Sequence, residues 1–181
     1  EMLKKMHVDE KIDDIEDQLK ELAKKEEDLA KEVKDEKNIT DEQKEEQEKI
    51  KEDFKEIQED LKELDSLNKY LDKPMELGEP ESQGEKVEED MDDAQESMDK
   101  NKGKKAGESQ EGAAEKMKEM AKNLDDAQKE SNDVQEQEDI DMLRNILESL
   151  VALSFHQEGT MKNLQRVSEH DPAFSKYSRK Q

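Results

Sequence analysis

The chain has 181 residues, of which 47% are charged, 29% hydrophobic and 3% aromatic; its mean hydropathy is -1.40 and its formal net charge -23. So little apolar surface excludes a thick globular core and leaves long helices with narrow apolar seams as the architecture that can fold. The negative field argues against nucleic acid and anionic lipid headgroups as main partners, and the absence of cysteine excludes disulfides, thiolate catalysis and Cys-ligated metal.

Residues 8–37 read as the first long helix. Val8, Ile12, Ile15, Leu19, Leu22, Leu29 and Val33 recur at alternating steps of four and three, and Glu26 fills the one vacant seam position. Glu16–Lys20, Glu21–Lys25 and Glu27–Lys31 support its outer faces at i,i+4. Asn38 and Ile39 interrupt. Thr40 and Gln43 then form a capping-box pattern that opens a second helix, with Ile50, Phe54, Ile57, Leu61, Leu64, Leu67 or Asn68, and Leu71 on its seam. Two helices of matched length joined by a short loop predict an antiparallel hairpin over residues 1–73.

Residues 74–83, with Pro74, Gly78 and Pro80, read as a linker. A third helix is expected from Gly84 to Lys100, carrying Val87, Met91, Ala94 and Met98. The lysines of residues 101–105 are expected at a turn, favourably placed against a helix C-terminus. A fourth helix is expected from Ala106, with Gln110, Ala113, Met117, Met120, Leu124, Ala127, Ser131 and Val134 on its seam; its small residues permit close helix approach. The seam then changes phase between Gln135 and Asp139, which predicts a kink or short break.

The densest apolar run follows, Ile140 to Phe155. Ile140, Leu143, Ile146, Leu147, Leu150, Val151, Leu153 and Phe155 cover well over half of a helix circumference. A helix that apolar requires burial against its own chain or a partner. Residues 142–181 are also the only non-acidic part, with 6 basic and 4 acidic side chains against 16 and 27 in residues 1–73 and 9 and 23 in residues 74–141. Charge and burial together predict that the run packs across the hairpins. Ile140, Leu143, Ile146, Leu147, Leu150 and Phe155 are the candidate packing or interface residues. The last helix is expected to continue through Met161, Leu164 and Val167, which gives a second helical unit over residues 84–170. A short helical tail over residues 171–181 is expected to open at Asp171-Pro172.

Catalytic patterns are missing. His7, His156 and His170 have Lys4, Leu153 and Val167 three positions upstream, so the Glu-x-x-His pattern of di-iron bundles is absent, as is HExxH. The acidic clusters of residues 88–93 and 136–141 lack the glycine turn and ligand spacing of a calcium loop and read as solvated helix faces. No phosphate loop, nucleophile elbow or cofactor fingerprint occurs. The sequence therefore assigns no catalytic, metal-binding or cofactor-binding residue and no enzyme activity. Met91, Met98, Met117 and Met120 read as filling an irregular core, the alternative being an adaptable binding face.

Three blocks carry a family resemblance: residues 68–82 (NKYLDKPMELGEPES), residues 101–125 (NKGKKAGESQEGAAEKMKEMAKNLD) and residues 140–165 (IDMLRNILESLVALSFHQEGTMKNLQ). With the Glu/Lys hairpin before them they resemble a family of large membrane-anchored proteins of Gram-negative bacteria whose function is not established. Residues 143–158 are the most specific part, and His156 departs from the family pattern, where an acidic residue is expected. The resemblance implies transmembrane helices near the parent protein's N-terminus, a long helical region facing the periplasm, and no catalytic residues. No signal or transmembrane segment lies in the chain itself, which begins at Glu1 and reaches Gln181 without a stop signal, as expected of a fragment.

The combined expectation is an all-α protein of elongated antiparallel helical hairpins, coiled-coil-like. Its expected role is a non-catalytic structural or protein-interaction module at the periplasmic face of the bacterial inner membrane. It would bind a protein partner or itself, with no nucleic acid and no direct insertion into the membrane. A periplasmic holdase-type chaperone is the alternative.

Overall fold

A computed structural model describes residues 2–36 and 38–166. It is all-helical, with α1 (Met2–Lys34), α2 (Asp41–Asn68), α3 (Pro80–Asp99) and α4 (Gly103–Arg166), and no strand occurs among the described residues. Two compact units divide the chain, Glu1–Ser131 and Asn132–Gln181. The expected tail over residues 171–181, with Val167 and His170, lies outside the described residues.

The first unit is a four-helix bundle in which each helix runs antiparallel to the next. Between α1 and α2, Lys11 reaches Asp60 at 2.7 Å and Glu63 at 2.6 Å, and Lys25 approaches Asp53 at 3.9 Å. Lys44–Asp99 and Lys51–Asp92 join α2 to α3. Lys116 meets Asp90 between α4 and α3, and Lys34–Glu111 with Gln128–Asp13 closes α4 back onto α1. In each pairing low residue numbers face high ones, the signature of antiparallel neighbours.

The heptad seam of α1 is buried as expected, from Val8 at 1% exposure to Val33 at 0%. Ala23 and Ala30 beside it are also fully buried. That wider stripe serves two neighbours rather than one, and it is why residues 84–131 do not form a separate unit with the last helix. They complete one core with the 1–73 hairpin. Small residues set the approach of α4 to α1. A Cβ on Gly103 would lie 2.2 Å from the Val33 carbonyl oxygen and 2.7 Å from that of Glu36, so only glycine fits. Gly107 repeats the approach, with a Cβ there 3.0 Å from the Ala30 carbonyl oxygen, and Ala106, Ala113 and Ala114 are fully buried.

The turns are fixed by side chains. The Thr40 capping box forms as expected: the Gln43 amide donates to Thr40 Oγ1 at 3.2 Å and the Thr40 amide to Gln43 Oε1 at 2.9 Å. Residues 74–83 are not an open linker. Asn68 Nδ2 donates to the Met75 carbonyl and the Met75 amide donates back to Asn68 Oδ1, both at 2.8 Å, and this seats Met75 and Leu77 in the core. Pro80 then starts α3 four residues earlier than expected, since proline suits the first helical position. Asn101 ends α3 in the left-handed region at φ 51°, with the Lys102 amide bonded to Ser97 O and the Asn101 amide to Met98 O, a Schellman closure. Asn101 Oδ1 also accepts from the Ile39 amide at 3.0 Å, which ties the two turns at that end of the bundle together. Lys104 and Lys105 fall in the first turn of α4, not at a helix C-terminus as expected.

Residues 135–139 are helical, so of the expected kink or short break the break is absent. The sequence Gln-Glu-Gln-Glu-Asp contains no breaker, and a change of seam phase rotates the apolar stripe without interrupting backbone hydrogen bonds. Gly159 is likewise accommodated within α4.

Candidate functional site

Two features stand out: a polar layer inside the first unit and an apolar face on the second. The polar layer begins with Glu26, the residue in the vacant seam position. Its carboxylate is fully buried and accepts from Gln47 Nε2 at 2.9 and 3.2 Å. Gln47 Oε1 accepts in turn from Gln110 Nε2 at 2.6 Å. Gln110 Nε2 lies 3.7 Å from Met98 Sδ, and Gln110 Oε1 is buried without a hydrogen-bond partner among the described residues. The chain thus runs from α1 through α2 to α4 and touches α3. Desolvation pushes the Glu26 carboxyl up to about 7, partly offset by the Gln47 hydrogen bond. No ion pair among the described residues includes Glu26. Glu26 is the titratable side chain of this layer, and its hydrogen bonds to Gln47 and on to Gln110 link α1, α2 and α4.

Glu26 and Gln110 were visible on their seams in the sequence. That they meet through Gln47 was not, because Gln47 precedes the first apolar residue of the α2 seam. Met91, Met98, Met117 and Met120 are at most 2% exposed, which places them in the core and not on a binding face. Lys11 is raised above its usual value, first by its hydrogen bond to Asp60 and then by that to Glu63, a structural clamp between α1 and α2.

The apolar face lies on α4 within the second unit. Every candidate interface residue is exposed: Ile140, Leu143, Ile146, Leu147, Leu150 and Phe155 range from 49% to 70%. Met142, Val151 and Leu153 are exposed beside them. A shallow recess of about 600 Å³ is lined by Met142, Ile146, Leu150 and Leu153, with Glu138, Asp141, Asn145 and Ser149 around them. The core of the first unit is built by its own four helices, with side chains up to Ala127.

His7 and His156 are exposed. Among the described residues no group of three or more His, Asp or Glu side chains is placed to hold a metal ion, and no helix is long and apolar enough to cross a membrane. Comparison with protein-family models, with curated proteins and with solved structures finds no match to this chain.

Proposed function

We propose that the chain is a non-catalytic protein-interaction module of the bacterial cell envelope, working at the periplasmic face of the inner membrane. The face from Ile140 to Phe155 is its docking surface. One observation carries the reading: nine large apolar side chains on consecutive turns of one helix are exposed, in a chain with little apolar surface to spare. Isolated proteins seldom leave such a patch open unless it binds something. The envelope location rests on the family resemblance of residues 68–82, 101–125 and 140–165.

The test is site-specific photocrosslinking in Gram-negative cells producing the chain. A photoreactive residue at Leu147 is expected to give a discrete protein adduct, while the same residue at Glu148, off the apolar arc, gives none. Equal adducts from both positions, or none from either, refute the docking surface. The location is checked by fractionating cells that carry an epitope within this segment of the parent protein, and a segment found in the cytoplasm refutes it.

A holdase-type chaperone is the second reading, favoured by the same exposed face. The buried methionines give it no further support. Failure of equimolar protein to suppress aggregation of a model substrate removes it.

A further inference from the structure

The chemistry of the face indicates what covers it. At 100° per residue its nine apolar side chains spread over an arc of roughly 220°. Their exposures correspond to an area on the order of 1,000 Å². A stable interface uses about 800 Å² from each partner, so the face is large enough for one without help from the rest of the chain.

Charge narrows the choice of partner. Residues 139–158 carry Arg144 against Asp139, Asp141, Glu148 and Glu158, a net -3 in a chain of -23. A strongly basic partner helix would be drawn to the acidic residues 1–141 rather than here; a second copy, itself of net charge -23, meets a long-range repulsion that burial of the apolar face must offset. Arg144 is the one cation among several anions on this face, and a copy of the same segment offers it a carboxylate partner in Asp139.

The register supplies the orientation. With Ile140 and Leu147 at a, and Leu143 and Leu150 at d, Asp139 occupies g and Arg144 occupies e. In a parallel, in-register coil each g residue packs against the e residue five positions on in the neighbouring helix. Asp139 then faces Arg144 of the other copy, twice by symmetry. The next such pair, Ile146 and Val151, is apolar on both sides. An antiparallel coil instead sets e against e, where Arg144 opposes Val151 or lies against its own kind. In the single chain Arg144 pairs with Asp141 at 2.9 Å, and its side chain is 62% exposed, so the guanidinium is free to exchange partners at little cost.

We propose that residues 139–151 assemble with the same segment of a second copy as a parallel, in-register helical coil, with Asp139 and Arg144 setting the orientation. This names the partner of the docking surface and rests on that reading. The breadth of the arc accommodates more than two copies, and any parallel, in-register assembly fulfils the proposal.

The test is sedimentation velocity on the full chain from about 1 to 100 μM, with Arg144→Glu, Asp139→Arg and an equimolar mixture of the two. The wild type is expected to associate as concentration rises. Each variant alone opposes like charges twice and is expected to associate about tenfold more weakly. The mixture restores both attractive pairs in a mixed species and is expected to recover to near the wild-type level. Circular dichroism checks that each variant folds, and both positions are exposed. A wild type that stays monomeric throughout, or a mixture no stronger than either variant, overturns the proposal. A monomeric wild type that still crosslinks to another protein at Leu147 overturns self-assembly alone; no adduct of any kind overturns the docking surface as well.

Discussion

Replacing Glu26 by Gln gives the sharpest test of the packing described above. Glu26 is fully buried, and its carboxyl is raised from 4.5 to about 7 because burial disfavours the charged form. A carboxyl raised on folding stabilises the fold below its unfolded value near 4.5, and that contribution is lost as pH rises through 7. At about 1.4 kcal/mol per pH unit, the gap corresponds to about 3 kcal/mol of destabilisation in the wild type once the site is ionised. Gln has the same length, keeps an oxygen to accept from Gln47 Nε2, and never ionises. The other titrating groups are common to both proteins and cancel in the difference. Linkage then predicts that Glu26→Gln gains about 2 kcal/mol on the wild type between pH 5.5 and pH 8.5, most of it below pH 7.5. Urea unfolding followed by circular dichroism across that range measures the difference directly. A difference that does not change with pH would show that Glu26 reaches solvent or a cation in the folded state, and the buried polar layer would have to be redrawn.

Other substitutions probe the remaining contacts. Gly103→Ala pushes a Cβ onto the carbonyl oxygens of Val33 and Glu36 and should cost about 1–3 kcal/mol, since backbone cannot retreat as a flexible side chain does; an unchanged urea midpoint would refute that close approach. Asn68→Ala leaves the buried Met75 amide and carbonyl without their 2.8 Å partners and should cost about 1–3 kcal/mol, with earlier proteolysis at residues 74–79 as the local sign. Leu147→Asp, which would be severely destabilising in a core, should leave the melting midpoint of dilute, monomeric protein within about 0.5 kcal/mol because the side chain is 62% exposed; a large fall in that midpoint would show that the face is buried within the chain.

Much of the bundle is written in local pattern. The steps of three and four on α1, α2, α3 and the first half of α4 name most of the buried residues, because a 3.6-residue helix leaves few other ways to gather sparse apolar side chains on one face. Thr40 and Gln43 likewise specify their cap from three residues' separation. The candidate face was legible as a composition, and the exposed run from Ile140 to Phe155 is the one singled out from the sequence.

Tertiary structure decided how these stripes are shared. Ala23 and Ala30 are too small to register as a seam, yet they let α1 serve α4 as well as α2. Gly103 looks like a helix breaker and instead begins α4, because what matters there is the space left by Val33 and Glu36. Gln47 looks like a surface residue until three helices bring it between Glu26 and Gln110. Whether an apolar face is core or surface depends on which stripes remain unsatisfied elsewhere. Sequence periodicity shows that a helix has an apolar face, and only the closure of the other helices determines whether anything is left for that face to pack against.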